Sequence, residues 1–353
     1  GSTTAEDTIT LNNVAGGTTV EMSSATDLNV TANFVTAATS GTADSVSIAL
    51  SGVGSTADND TTLTIGSGFE TFNIASTGSA STLDGLTGSA KTWNITGDAD
   101  LTLRAAQALD ASLDVIDASA FTGKLSFATA NDTSTPDATV SSVDVLDLTI
   151  TGGSGNDTIV TANAADNEIS IDAGSGDDNV TIIATPANSS STNAGDTLVG
   201  GAGVDTLTVD VDLIDGSAVT TASPLTGISG FEVLAVNGLD TNTTDVITPA
   251  NISSDITAVS IISAATGDVT VNAAGSFEIK VGGAAAILAG DTLIADSGTG
   301  TADVLTITNS NAATGTAQIG SDSAGITTTD FETVAIDTGS YSSATAQLIN
   351  TVN

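Results

Sequence analysis

A nine-residue pattern between Gly152 and Thr208 constrains the fold of this chain more than any other feature of its sequence. The first copy, GGSGNDTIV, begins at Gly152, and the last, GGAGVDTLT, begins at Gly200. Both fit G-G-x-G-x-D-x-U-x, in which U is a large aliphatic residue. Between them, AGSGDDNVT from Ala173 differs only by an alanine in place of the first glycine. Two full matches in so short a stretch are not a chance result of a glycine-rich composition.

The pattern has a physical reason. Its glycines allow a tight turn with positive φ and leave backbone carbonyl oxygens free to face a cation. The aspartate adds a carboxylate oxygen, and oxygen-only ligation at a flexible turn suits Ca²⁺ better than Zn²⁺ or Mg²⁺. The aliphatic residue then points inward from a short strand and stacks on its equivalent in the next coil. The pattern therefore predicts Ca²⁺ as a cofactor and an all-β fold, a parallel β-solenoid or β-roll.

The predicted calcium ligands are the turn glycines and the aspartates that keep this phase. Asp196 and Asp205 are nine residues apart, and Asp178 and Asp196 are eighteen apart. The gap of twenty-one from Asp157 to Asp178 implies an insertion of three residues, with Asp166 as an additional turn ligand. The predicted set is Gly152, Gly153, Gly155, Asp157, Asp166, Gly174, Gly176, Asp178, Asp196, Gly200, Gly201, Gly203 and Asp205. The alternative is that these are flexible polar loops, and the polar segment 186–193 that interrupts the array favours it.

The charge balance limits the classes of partner. The chain of 353 residues has 42 acidic and four basic residues, a formal net charge of −38, which disfavours binding to nucleic acid or to anionic lipid and favours bound cations. Hydrophobic residues reach 40% but aromatic residues only 3%, as suits a thin solenoid core of stacked aliphatic side chains. Cysteine and histidine are absent, and no apolar run is long enough to span a membrane.

A second, longer repeat occupies the flanks. An aspartate opens a strand-like D-x-[V/L]-x-[I/V] segment, and a Phe-Glu pair follows 25, 26 or 28 residues later. Its copies run from Asp44 to Phe69-Glu70, from Asp205 to Phe231-Glu232 and from Asp303 to Phe331-Glu332. Either the phenylalanines plug the core while the glutamates face solvent, or the glutamates are further Ca²⁺ ligands or lattice contacts. A helical turn is expected only at residues 104–109 and 343–349.

This organisation predicts three segments. Residues 1–140 form an N-terminal β-solenoid, residues 141–210 a calcium-binding β-roll, and residues 211–353 a C-terminal β-solenoid. The end of the sequence inside a repeat leads us to expect a fragment of a longer protein.

The nonapeptides resemble the calcium-binding repeats of RTX proteins, and the order of segments resembles Caulobacter-type S-layer proteins. AKTWNITGDADLTL from Ala90 is similar to that family's strand, turn and strand. VIDASAFTG from Val115 and GISGFE from Gly227 are similar to two further family segments. The resemblance implies type I secretion to the cell surface and assembly into a two-dimensional lattice, with Ca²⁺ needed for folding and for subunit contacts.

The leading functional hypothesis is therefore a structural S-layer segment whose main partner is itself. Any contact with cell-surface polysaccharide would come from a region outside this segment. The alternative is a stalk or binding module of a large RTX adhesin. We expect no enzyme activity, because histidine and cysteine are absent and the four basic residues are scattered. Nucleic-acid binding and membrane insertion are not expected either.

Overall fold

The computed structural model describes most of the chain. The described residues are 7–54, 61–107, 113–129, 148–161, 169–182, 197–211, 214, 227–237, 245–262, 269–273, 275–281, 293–296, 302–309 and 326–337. Every strand pair recorded among them is parallel. The prediction of an all-β fold with the character of a parallel β-solenoid is confirmed at this level.

The chain divides into two compact units, of which the first comprises Gly1–Thr181 and Asp196–Gly203. Its strands are β1 (Asp7–Val14), β2 (Thr19–Ser23), β3 (Leu28–Phe34), β4 (Ser45–Ser51), β5 (Thr62–Ile65), β6 (Thr71–Ser76), β7 (Ser81–Leu83), β8 (Gly85–Thr87), β9 (Thr92–Gly97), β10 (Leu101–Gln107), β11 (Val115–Phe121), β12 (Leu125–Thr129), β13 (Leu148–Thr151), β14 (Thr158–Thr161), β15 (Ile169–Asp172), β16 (Asn179–Ile182) and β17 (Thr197–Val199).

These strands form three parallel sheets. Their orders are β1-β3-β5-β8, β2-β4-β6-β9-β11-β13-β15-β17 and β7-β10-β12-β14-β16. Neighbours within a sheet are not consecutive in the chain, because the chain visits another sheet before it returns one position further along. Each return is one coil of the solenoid.

The second unit comprises Ile182–Gly195 and Val204–Asn353. Its strands are β18 (Thr206–Asp210), β19 (Ile228–Ser229), β20 (Val233–Asn237), β21 (Asp245–Ile247), β22 (Ala258–Ile261), β23 (Val269–Asn272), β24 (Phe277–Val281), β25 (Leu293–Asp296), β26 (Val304–Asn309), β27 (Ile326–Thr329) and β28 (Thr333–Asp337). The chain alternates between a sheet ordered β18-β20-β22-β24-β26-β28 and a sheet ordered β21-β23-β25-β27. The predicted division into three segments stays a prediction.

The core of the first unit is a set of inward-facing columns, because residues two apart on a strand share a face. Ile48 of β4 aligns with Ile74 of β6, which aligns with Ile95 of β9, and all three are buried. One column contains the aromatic pair Phe72 and Trp93, whose rings lie 6.2 Å apart. The ring of Phe127, on β12 of another sheet, lies 6.5 Å from that of Trp93. The expected aliphatic stacking is present, with an aromatic cluster added to it.

Helical structure is limited to short turns in the described residues, such as the 3₁₀ turns Thr36–Ala38 and Pro249–Asn251. The expectation of a helical turn from residue 104 is wrong for residues 104–107, which belong to strand β10. The second expected turn, 343–349, lies outside the described residues. No helix in the described part of the chain has the length and apolar character needed to cross a lipid bilayer.

Candidate functional site

The three nonapeptide turns follow successive strands of one sheet. They come after β13, β15 and β17 and lead into β14, β16 and β18. The register places Ile150 of β13 beside Ile171 of β15, and Ile171 beside Leu198 of β17. Because the three strands are parallel and in register, their turns begin at the same edge of the sheet, one coil apart. The sequence-predicted turn glycines are thereby brought together in a stack.

Backbone hydrogen bonds join the glycine turns directly. The Ser175 N–H donates to the Gly153 carbonyl at 2.9 Å, and the Ala202 N–H donates to the Gly174 carbonyl at 3.0 Å. In return, the Gly176 N–H donates to the Ala202 carbonyl at 2.9 Å. These three carbonyl oxygens therefore have an amide partner of their own, which the sequence interpretation of free, cation-facing carbonyls did not include.

Close packing of the turns explains why they need glycine. A Cβ atom on Gly203 would lie 1.9 Å from the Gly176 carbonyl oxygen, and one on Gly201 would lie 2.0 Å from that of Gly174. The predicted positive φ is present at Gly174, Gly176, Gly201 and Gly203, with values from 101° to 147°. In the first turn it is close approach that requires glycine: a Cβ on Gly153 would lie 2.1 Å from the Phe121 carbonyl oxygen.

Asp157, the aspartate of the first nonapeptide, points into the stack. Its side chain is buried, and Oδ1 accepts the Leu125 N–H at 2.8 Å while Oδ2 accepts the Gly153 N–H at 3.0 Å. Burial raises the pKa of this carboxyl, although the two amide hydrogen bonds and the charge of Lys124 act in the opposite direction. One carboxylate thus ties its own turn to the preceding coil.

The aspartates of the other two nonapeptides are also buried. Asp178 accepts the Asp157 N–H through Oδ1 at 2.6 Å. The Asp205 N–H donates to the Glu232 carboxylate at 2.8 Å. The two remaining predicted ligands, Asp166 and Asp196, lie outside the described residues.

The Phe-Glu pairs have a common geometry that sequence reasoning did not foresee. In each copy the glutamate carboxylate accepts the backbone N–H of the aspartate that opens the repeat. The three donor-to-acceptor pairs are Asp44 to Glu70 at 2.7 Å, Asp205 to Glu232 at 2.8 Å and Asp303 to Glu332 at 2.6 Å. The similar interval of 26, 27 or 29 residues between aspartate and glutamate, about one coil, is the signal of this contact in the sequence.

The phenylalanines fit the core-plug alternative in two of three copies. Phe69 and Phe231 are buried, whereas Phe331 is half-buried. Of the three glutamates, Glu332 is exposed, whereas Glu70 and Glu232 are half-buried.

The oxygen atoms of the turn stack are of the type that Ca²⁺ prefers as ligands. Every donor in it is an oxygen, and a carboxylate or carbonyl oxygen that accepts one amide retains a second lone pair. Within the described ranges, no group of three or more Asp, Glu, His or Cys side chains is close enough to hold a metal ion by itself. A bound Ca²⁺ would therefore draw much of its coordination from turn carbonyls, as the glycine pattern implies.

Comparison with known proteins gives no relative: no family model matches the chain, and no match is found among curated proteins or among solved structures.

Proposed function

We propose that this chain is a structural segment of a secreted bacterial surface-layer protein that assembles with copies of itself on the cell surface and depends on Ca²⁺ to do so. The observation that carries the proposal is the stack of glycine and aspartate turns on an all-parallel solenoid, in a chain of net charge −38. The resemblance of the segment order to Caulobacter-type S-layer proteins supports the same function.

Calcium would act on this chain by linkage. Asp157 and Asp178 are the carboxylates of the first unit that would hold calcium, each with the carbonyls of its own glycine turn. Without cations, 42 acidic residues repel one another, and ordering short coils costs conformational entropy. Any ion that binds only the folded coils adds its binding free energy to their stability. A chain of this kind would remain loose at low internal Ca²⁺ and fold outside the cell.

No catalytic role is part of the proposal. The sequence has neither histidine nor cysteine, and its acidic surface disfavours nucleic acid and anionic lipid as partners. The partner is a second copy of the chain, with secretion of the type I class.

The test is electron microscopy of the protein after dialysis into millimolar CaCl₂, into MgCl₂ of equal ionic strength, and into chelator. We expect ordered sheets in calcium and dispersed molecules in the other two. Isolated rods in calcium would favour the adhesin stalk instead. Ordered sheets that persist in chelator would overturn the calcium dependence.

A further inference from the structure

We propose that the Phe-Glu glutamates Glu70, Glu232 and Glu332 are metal-independent joints between coils. Each glutamate occupies the position that an aspartate occupies in the glycine turns. The coils that it joins stay hydrogen-bonded when calcium is removed. Only the calcium clause of this inference rests on the proposed function. The joints themselves rest on hydrogen bonds.

The first argument is position. Asp157 and Asp178 each stand immediately before a strand, β14 and β16, and the Asp157 N–H donates to the Asp178 carboxylate one coil later. Glu70 stands immediately before β6 in the same way and accepts the N–H of Asp44, the residue before β4. The glutamate and the nonapeptide aspartate therefore accept the same class of amide, the last one before a strand begins.

The second argument is that the contact is reciprocal. The N–H groups of Glu70 and Thr71 donate to the Asp44 carbonyl at 2.9 and 3.1 Å, while the Glu70 carboxylate accepts the Asp44 N–H. The same two backbone bonds recur in the other copies. They run from Glu232 and Val233 to Asp205, and from Glu332 and Thr333 to Asp303. Three recurrences of one three-bond arrangement show that it is a device of the fold.

The third argument is the residue before the glutamate. Each Phe-Glu turn has a phenylalanine there, where the nonapeptides have Asn156, Asp177 or Val204 before the aspartate. Phe69 is buried with its ring edge-on to that of Phe34, 4.8 Å between centroids, and Phe231 is fully buried. At the Glu70 and Glu232 turns, an apolar plug and a charge-assisted hydrogen bond thus add to the strand ladders between coils, and neither requires an ion.

The experiment is hydrogen–deuterium exchange with peptide resolution on the full chain in chelator, comparing wild type, Glu70→Ala, Glu70→Gln and the control Glu21→Ala. Glu21 is an exposed glutamate on β2 of the same unit. Loss of a charged acceptor should speed exchange in the peptide that contains Asp44 by about tenfold or more. Glutamine keeps an acceptor oxygen and should restore most of the protection, and Glu21→Ala should match wild type.

Unchanged exchange at Asp44 in Glu70→Ala would overturn the joint. The same holds if Glu70→Gln is as damaging as Glu70→Ala, because the effect would then not come from the acceptor. If Glu70→Ala fails to fold, Glu332→Ala and Glu332→Gln repeat the comparison at the exposed copy, with the Asp303 peptide as the readout.

A second arm compares wild type with and without calcium. We expect chelation to speed exchange in the peptides of the glycine turns, which contain Ser175 and Ala202, and to leave those of Asp44 and Asp303 within twofold. Equal loss of protection in both sets would overturn metal independence. An absence of any calcium effect would overturn the calcium part of the proposed function, while unchanged protection at Asp44 would support the joints.

Discussion

The fold shifts the pKa values of two aspartates of the first unit in opposite directions. Asp117 accepts hydrogen bonds from the Ser119 hydroxyl and from its backbone N–H, the latter at 2.9 Å, and these lower its pKa. Burial raises the pKa of Asp157. By linkage, Asp117 stabilises the fold above the unfolded pKa of about 3.9 and loses this contribution as the pH falls through its lower folded value. Asp157 has the opposite effect on stability. Because its pKa is raised in the fold, the buried carboxyl is costly to ionise above the unfolded pKa of about 3.9, and its contribution to stability falls as the pH rises.

Replacement of Asp157 by asparagine tests this arrangement. The amide nitrogen of asparagine would face the N–H of Leu125 or of Gly153, so that one of the two hydrogen bonds becomes a donor-to-donor contact. We expect Asp157→Asn to lower the free energy of unfolding at pH 7 by about 1–3 kcal/mol. The difference in the free energy of unfolding between Asp157→Asn and wild type should change between pH 4 and 7, because the variant lacks the titrating carboxyl.

The measurement is urea denaturation at several pH values in chelator. Asp177→Asn is the matched control, because Asp177 is the exposed neighbour of Asp178 in the second nonapeptide turn. A variant at position 157 as stable as the control would show that the two amide contacts contribute little.

The glycine turns owe their stacking to backbone shape. Twenty-one residues separate the starts of the first two nonapeptides, and twenty-seven separate the starts of the second and third. The turns nevertheless stack one coil apart, because the strands that lead into them stay in register. Coil length can therefore vary away from the turns without disturbing the turns themselves.

Gly203→Ala should break this stack. Its Cβ would lie 1.9 Å from the Gly176 carbonyl oxygen at a φ of 147°, so the backbone must move, and we expect a loss of about 2–4 kcal/mol in stability. Gly17→Ala is the control, since φ there is 76° but nothing lies within 4 Å of the new methyl group. It should cost only the left-handed strain of about 1–2 kcal/mol. Thermal unfolding followed by circular dichroism compares the two variants, and equal shifts in the melting temperature would argue against tight packing of the turns.

At the scale of the whole molecule, electrostatic self-repulsion is the dominant fact. With 42 acidic and four basic residues, the compact state concentrates negative charge that the unfolded chain can spread apart. Monovalent salt should raise the melting temperature by screening, because the Debye length falls from about 10 Å at 0.1 M to about 3 Å at 1 M.

Specific calcium binding should stabilise the fold more than charge screening does. At a hundredfold excess over its dissociation constant, one bound Ca²⁺ adds about 2.7 kcal/mol. We therefore expect millimolar CaCl₂ to stabilise the chain more than MgCl₂ or NaCl of equal ionic strength, as measured by differential scanning calorimetry. Identical melting temperatures in the three salts would show that cations act only by screening.

The sequence by itself determined the fold class and the location of the turns. Period-2 segments such as Ser45–Ser51, punctuated by glycine and polar residues, predict short strands with one buried face, because side-chain alternation is a local property of the backbone. The nonapeptide likewise marks its own turns, since glycine and aspartate act within a few residues of where they stand. Helix signals at residues 104–107 were misread, because β-pairing with the adjacent coil overrides a weak local preference.

Only the tertiary structure decided which atoms the carboxylates contact. Asp157 meets Leu125, which is 32 residues earlier, and Glu70 meets Asp44, which is 26 residues earlier. Those pairings depend on coil length and on strand register, and both are set by the packing of all the inward columns at once. A carboxylate that a local pattern marks only as a cation ligand is therefore found to accept the amides of the neighbouring coil, because stacking places an unsatisfied backbone N–H directly beside it.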